Sequence, residues 1–146
     1  MAIDRRTLLD WIEADRELLI RFLRDFVQAR SPNPPGDTRE AAAFVRRFLD
    51  GEGLAYRIIV PNEEMPNIVA AFDGGAPGRH LVLNGHIDVF AVEDESRWSH
   101  GPWSAALVDG RIYGRGVADM KAGTTASIFT HPTCTACVTS SGAASP

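Results

Sequence analysis

The sequence predicts an α/β layer structure, with helices packed on a mixed sheet. Three observations carry this reading: two amphipathic helical stretches come first, short β-like runs follow, and a glycine-rich strand-to-helix turn comes last. The expected folded unit is residues 1–130, with 131–146 an unstructured tail.

From about Thr7 to Ala29, Leu8, Ile12, Leu19, Phe22, Leu23 and Phe26 recur at helical spacing among arginines and acids, which predicts one amphipathic helix. Ser31-Pro32-Asn33-Pro34-Pro35-Gly36 stops it, because proline lacks an amide donor and restrains the residue before it. Asp37 is the expected cap of a second helix, with Glu40 answering it in a capping box. Phe44, Val45, Phe48 and Leu49 give that helix its buried face, and Gly51 and Gly53 end it. Strands are expected at Leu54 to Val60, Asn67 to Phe72 and His80 to Asn84, separated by turn clusters of which Asp73-Gly74-Gly75 is the clearest. Ala106 to Tyr113 reads as a small hairpin around Asp109-Gly110, and Met120 to about Ile128 as an opening helix. There is no internal repeat.

Composition narrows the function classes. The chain is 45% apolar with a net charge of −4, its acids and bases interspersed, which argues against a nucleic-acid surface. No apolar run is long enough to span a membrane, and no signal-peptide core follows Met1, so the expected location is the cytoplasm. Both cysteines, Cys134 and Cys137, lie in the tail, so no disulfide framework is expected. Lys121 is the only lysine, against an arginine excess that a GC-rich coding sequence explains.

The chemistry concentrates in two segments. In Leu83-Asn84-Gly85-His86-Ile87-Asp88-Val89, His86 and Asp88 stand two apart, so in extended chain they point the same way and Ile87 points into the core. One imidazole nitrogen can then bind a metal while the other donates to the carboxylate. A surface histidine beside a turn aspartate fits the same spacing. In Tyr113-Gly114-Arg115-Gly116-Val117-Ala118-Asp119-Met120-Lys121, two glycines allow a tight turn before Asp119, which either caps the following helix or binds a metal. A nucleotide-binding reading of Gly114-x-Gly116-x-x-Asp119 fails, since an acid at the third position would repel a pyrophosphate. Trp98 and Trp103 either wall a pocket mouth or pack the connection onto the domain. Glu93, Asp94 and Glu95 read as a solvated loop, and His80 and His100 as non-functional. His131, Cys134 and Cys137 have partial zinc-site spacing, but a fourth ligand is missing nearby and no site is expected.

Taken together, Asn84 to Val89, then Trp98 with Gly101-Pro102-Trp103, then Asp109-Gly110-Arg111-Ile112-Tyr113 through Gly123 resemble the dinuclear zinc amidohydrolases and metallopeptidases. That family includes acetylornithine deacetylase, succinyl-diaminopimelate desuccinylase, aminoacylase and glutamate carboxypeptidase. The resemblance covers about residues 5 to 130 and implies an incomplete N-terminal portion of a zinc-peptidase-like catalytic domain. It implies that His86 ligates one zinc, that Asp88 braces the imidazole as a catalytic residue, that Asp119 bridges two Zn2+ ions (Co2+ being a workable substitute), and that the peptide bond after Asp119 is cis. It further implies a small N-acyl amino acid or peptide substrate, attack on the amide carbonyl by metal-activated water, and homodimers among complete members. The family supplies a Glu-Glu pair and further ligands downstream, yet no acidic residue follows Asp119 in this sequence. The expectation is therefore a chain that is inactive alone, with a non-catalytic interaction fragment or a simple metal binder using His86, Asp88 and Asp119 as alternatives. Reading back-translated Thr130 to Thr139 from each codon's third base permits an amphipathic continuation, so a frame shift after about Thr130 is expected to account for the tail. Poor solubility is expected from an exposed strand edge and uncovered apolar surface.

Overall fold

The computed structural model describes residues 4–72 and 77–130. The expected turn at Asp73-Gly74-Gly75 and the tail with His131, Cys134 and Cys137 lie outside the described residues.

Phenylalanine spacing decides how the helices meet. Helix α1 (Arg5–Ala14) is capped by the Asp4 carboxylate, which accepts from the Thr7 amide at 2.8 Å. Helix α2 (Arg16–Gln28) follows after a break at Asp15, so the single helix expected from 7 to 29 is two. The hydrogen-bond ladder runs on through the break, from Asp15 to Trp11 and from Leu19 to Asp15. The break is thus a kink that leaves the apolar period intact, which is why periodicity cannot reveal it. Phe22 and Phe26 on α2 meet Phe44 and Phe48 on α3 (Arg39–Gly51), and Phe129 closes the cluster. Ring centroids are 4.8 Å apart for Phe22 and Phe48 and 5.3 Å for Phe48 and Phe129, the tilted and offset contacts that aromatic quadrupoles favour. With Ala29, Ala41, Val45 and Leu49 they form the buried core, and Ile87 packs against it as its position opposite His86 and Asp88 required.

Thr38, not Asp37, is the N-cap of α3. The Thr38 amide and hydroxyl both bond the Glu64 carbonyl, at 2.8 and 3.3 Å, so the helix starts one residue later. Asp37 instead accepts from the Arg39 amide and guanidinium, and no capping box forms with Glu40.

Among the described residues the strands form three two-stranded sheets rather than one continuous mixed sheet. Strand β1 (Pro32–Asn33) pairs in parallel with β4 (Val89–Phe90), and β2 (Tyr56–Ile59) pairs antiparallel with β3 (Asn67–Ala70). The expected hairpin is present as β5 (Ala106–Val108) and β6 (Arg111–Tyr113), turned by Asp109 and Gly110 at φ 49 and 73, the double positive φ of a type I′ turn. The strand expected at His80 to Asn84 does not form: the segment pairs with no strand among the described residues, and Leu81 and Val82 are 78% and 79% exposed. The last helix among the described residues, α4 (Ala122–Ile128), starts two residues later than expected, because a wide irregular turn occupies Val117–Lys121. Among the described residues no helix is long and apolar enough to cross a membrane.

Candidate functional site

An extended strap, residues 84–88, carries His86 and Asp88 between β1 and α4. Three contacts fix its backbone. The Thr124 hydroxyl donates to the His86 carbonyl at 3.2 Å, the Ser31 hydroxyl donates to the Ile87 carbonyl at 2.6 Å, and the Val89 amide donates to the Ser31 carbonyl at 2.9 Å. Gly85 is required beneath them, since a Cβ there would stand 2.6 Å from the Thr124 hydroxyl.

Asp119 reaches the same place from the other motif. Gly116 sits at φ +80 against the Val89 side chain, where any larger residue would collide, so the turn can approach β4 closely. Asp119 has non-helical backbone angles and its bond to Met120 is cis, as the resemblance implied. It does not cap α4; its side chain, 74% exposed, faces His86 instead.

The imidazole is contacted at both nitrogens. His86 Nε2 lies 3.1 Å from Asp119 Oδ1, and Nδ1 lies 3.0 Å from the Asp88 carbonyl and 3.2 Å from Asp88 Oδ1. The other Asp88 oxygen accepts from Asn33 Nδ2 at 2.9 Å. Partial burial of His86 opposes its protonation, but the Asp88 carbonyl and the Asp119 and Asp88 carboxylates outweigh it and hold its pKa above the ordinary value. Asn33, His86, Asp88, Val89, Phe90 and Asp119 line an open cleft of about 320 Å³.

The donor set fits one edge of a divalent-metal site. An imidazole nitrogen and a carboxylate oxygen each about 2.0–2.1 Å from a tetrahedral zinc stand roughly 3.3 Å apart. The observed 3.1 Å fits that edge, and equally fits a hydrogen bond when the imidazole is protonated. Among the described residues no cluster of three or more histidine, cysteine or acidic side chains has metal-holding geometry, so the pair supplies only part of a coordination shell.

Two contributors are not legible in the sequence as site residues. Asn33 lies in a loop that reads as a helix stop and falls within the resemblance, but no signal there gives it a role. Lys121 stands out as the lone lysine, but nothing in the sequence gives it a role. Its ammonium is fully buried, donates to the carbonyls of Phe26 at 2.8 Å and Ala29 at 2.6 Å, and lies 4.7 Å from the centre of the Phe26 ring. Burial pulls its pKa down to about 8. It fastens the turn bearing Asp119 to the C-terminal end of α2, where a positive charge is favoured. The tryptophans do not wall the cleft: Arg115 lies over Trp98 and Arg30 over Trp103, and the Trp103 indole donates to Glu95 at 3.2 Å. His100 packs on the Tyr113 ring.

Residues 82–132 match the sequence model of peptidase family M20/M25/M40. The chain is 36% identical over 131 residues to N-formyl-4-amino-5-aminomethyl-2-methylpyrimidine deformylase of Halalkalibacterium halodurans, an alignment covering 86% of this chain and 30% of that protein. It is 42% identical over 107 residues to succinyl-diaminopimelate desuccinylase 1 of a Ruegeria species, covering 73% of this chain and 27% of the relative. Among solved structures, an M20 family metallo-carboxypeptidase from Sulfolobus solfataricus superposes with a TM-score of 0.68 at 26% identity, over 76% of this chain and 25% of that one. The chain thus spans less than a third of the length of these relatives. The matched residues 82–132 hold His86, Asp88 and Asp119, and the comparisons support a likeness of this chain to an N-terminal part of the M20/M25/M40 peptidase family.

Proposed function

We propose that residues 1–130 form one wall of the metal cleft of an amide-cleaving hydrolase, with His86 and Asp119 as ligands of divalent zinc and Asp88 orienting the imidazole. The observation that carries this reading is the convergence of two distant motifs on one imidazole, with His86 Nε2 3.1 Å from Asp119 and Nδ1 3.2 Å from Asp88. Nδ1–H facing Asp88 leaves Nε2 as the lone-pair donor toward the cleft. Asp119 is exposed, and among the described residues only its Oδ1 contacts the imidazole, so its second oxygen could serve another ion. When bound, the metals supply Lewis acidity toward an amide carbonyl and activate water; Co2+ suits the same donors.

The relatives are named for removing a formyl group, removing a succinyl group and trimming a carboxy-terminal residue, and all three reactions cleave an amide. The proposed substrate class is accordingly a small N-acyl amine, amino acid or peptide. No acidic residue follows Asp119 within the 146 residues. A general base and the remaining ligands are therefore lacking from this chain taken alone, and we infer that alone it binds metal weakly and does not hydrolyse amides.

Titration of the purified chain with Co2+, followed by visible absorption, tests the site. The expected result is a single weak binding event that His86→Ala and Asp119→Ala each abolish. Binding that survives both substitutions would show that the metal sits elsewhere. Turnover of N-formyl or N-succinyl amino acids by the chain alone would overturn the inference of inactivity while leaving the ligand assignment standing.

A further inference from the structure

The reading of His86 and Asp119 as metal ligands leaves open what holds Asp88, on which the imidazole's orientation depends. The Asp88 side chain is about one-third exposed. A carboxylate with that access to water turns readily about its last torsion, which is broad and nearly two-fold. Here both oxygens are occupied: Oδ1 faces His86 Nδ1 at 3.2 Å, and Oδ2 accepts from Asn33 Nδ2 at 2.9 Å. Asn33 is well placed to do this. It lies on β1 in register with Phe90, and β1 is fastened to the strap independently through Ser31, by its hydroxyl to Ile87 and its carbonyl to Val89. The Gly36 amide bonds the Pro32 carbonyl at 2.9 Å and closes the loop behind it. An amide also has the right chemistry, since it donates without adding charge, whereas an acid here would repel Asp88.

Resting on that metal-site reading, we infer that Asn33 is a positioning residue for His86. It acts through Asp88, holding the carboxylate in the rotation that presents Oδ1 to the imidazole. Its loss leaves the Asp88 backbone carbonyl still 3.0 Å from Nδ1, so the imidazole is loosened rather than released.

A double-mutant cycle read by Co2+ affinity and by the cobalt visible spectrum tests this in the 146-residue chain. Asn33→Leu, which keeps the volume and removes the donor, is expected to weaken Co2+ binding about tenfold, the lower end for partners that orient a metal ligand. In an Asp88→Ala background the same substitution is expected to change affinity less than about twofold, because its target is gone. Equal losses in both backgrounds would show that Asn33 merely supports β1, and would overturn the inference. Should circular dichroism show Asn33→Leu unfolded, the smaller Asn33→Ala, which removes the donor without adding charge, carries the cycle, with the same expected loss when Asp88 is present and less than about twofold change in the Asp88→Ala background. Wild-type chain that binds no Co2+ sensitive to His86→Ala would overturn the metal-site reading and this inference with it. Binding by wild type that Asn33→Leu leaves unchanged would overturn the positioning role alone.

Discussion

Around Phe22, aromatic rings from α2, α3 and the end of α4 meet at centroid distances of 4.8–5.8 Å, and Phe26 and Ala41 are wholly buried. The segment 80–88 is built differently. It pairs with no strand among the described residues, leaves Leu81 and Val82 largely in water, and is located by single hydrogen bonds from Ser31, Asn33 and Thr124, with Ile87 its one side chain packed on the core cluster. Stability therefore resides in the helical layer, through many buried side chains in mutual contact, whereas the site's geometry resides in a few point contacts between elements far apart. Substitutions that destroy one should largely spare the other.

The largest expected effect lies in the helical layer. Phe26→Ala removes a fully buried ring that touches Phe22, Phe44 and the Lys121 ammonium. It should cost about 3–5 kcal/mol, seen as a lowered midpoint in urea. A cost below about 1 kcal/mol, well under the range for buried aromatic truncations, would mean that the rings do not carry the fold, and the contrast between the two regions would fail.

Lys121→Met probes the tie between them. The substitution keeps most of the chain length but strips the Phe26 and Ala29 carbonyls of their donor. Two losses act together, a pair of charge-assisted bonds and the positive charge at the end of α2, against relief from burying an ammonium. The expected net cost is about 2 kcal/mol, in the range for hydrogen bonds to a charged group. Because the lysine also anchors the turn at Asp119, the same variant should weaken Co2+ binding. Lost stability with unchanged metal affinity would show that the turn holds Asp119 without it.

The difference between the regions also explains what the sequence makes legible. The helices, the β2–β3 pair and the β5–β6 hairpin announce themselves through local signals: apolar spacing, proline stops, and Asp109-Gly110 at a double positive φ. His86, Asp88 and Asp119 stand out because two compact motifs carry them. The contacts that bring them together are not legible, because Asn33 and Lys121 act over 55 and 95 residues of separation. The departures from expectation have the same root. Leu81-Val82-Leu83 has strand-like composition, but a strand requires a ladder partner, and no local pattern states whether one is present. Asp37 has the residue type of a cap, but Glu64, distant in sequence, engages Thr38 and moves the helix start.

The smallest effect on stability is expected in the segment that leads into the strap. Leu81 and Val82 face solvent in the folded chain, so replacing both with serine removes little buried area; surface changes of this kind fall within about 0.5 kcal/mol, which at this chain length shifts a thermal midpoint by roughly 1–2 °C. Association should change far more. Two large aliphatic side chains on an unpaired extended segment form a template for edge-to-edge pairing between copies, with Leu83 and Phe90 also exposed nearby in sequence. Leu81→Ser/Val82→Ser is therefore expected to reduce light scattering on concentration or heating while leaving the midpoint almost fixed. A midpoint lowered by more than about 5 °C, equivalent to over 1 kcal/mol, would mean that these side chains are buried in solution, and that residues 81 and 82 draw on apolar burial as the helical layer does.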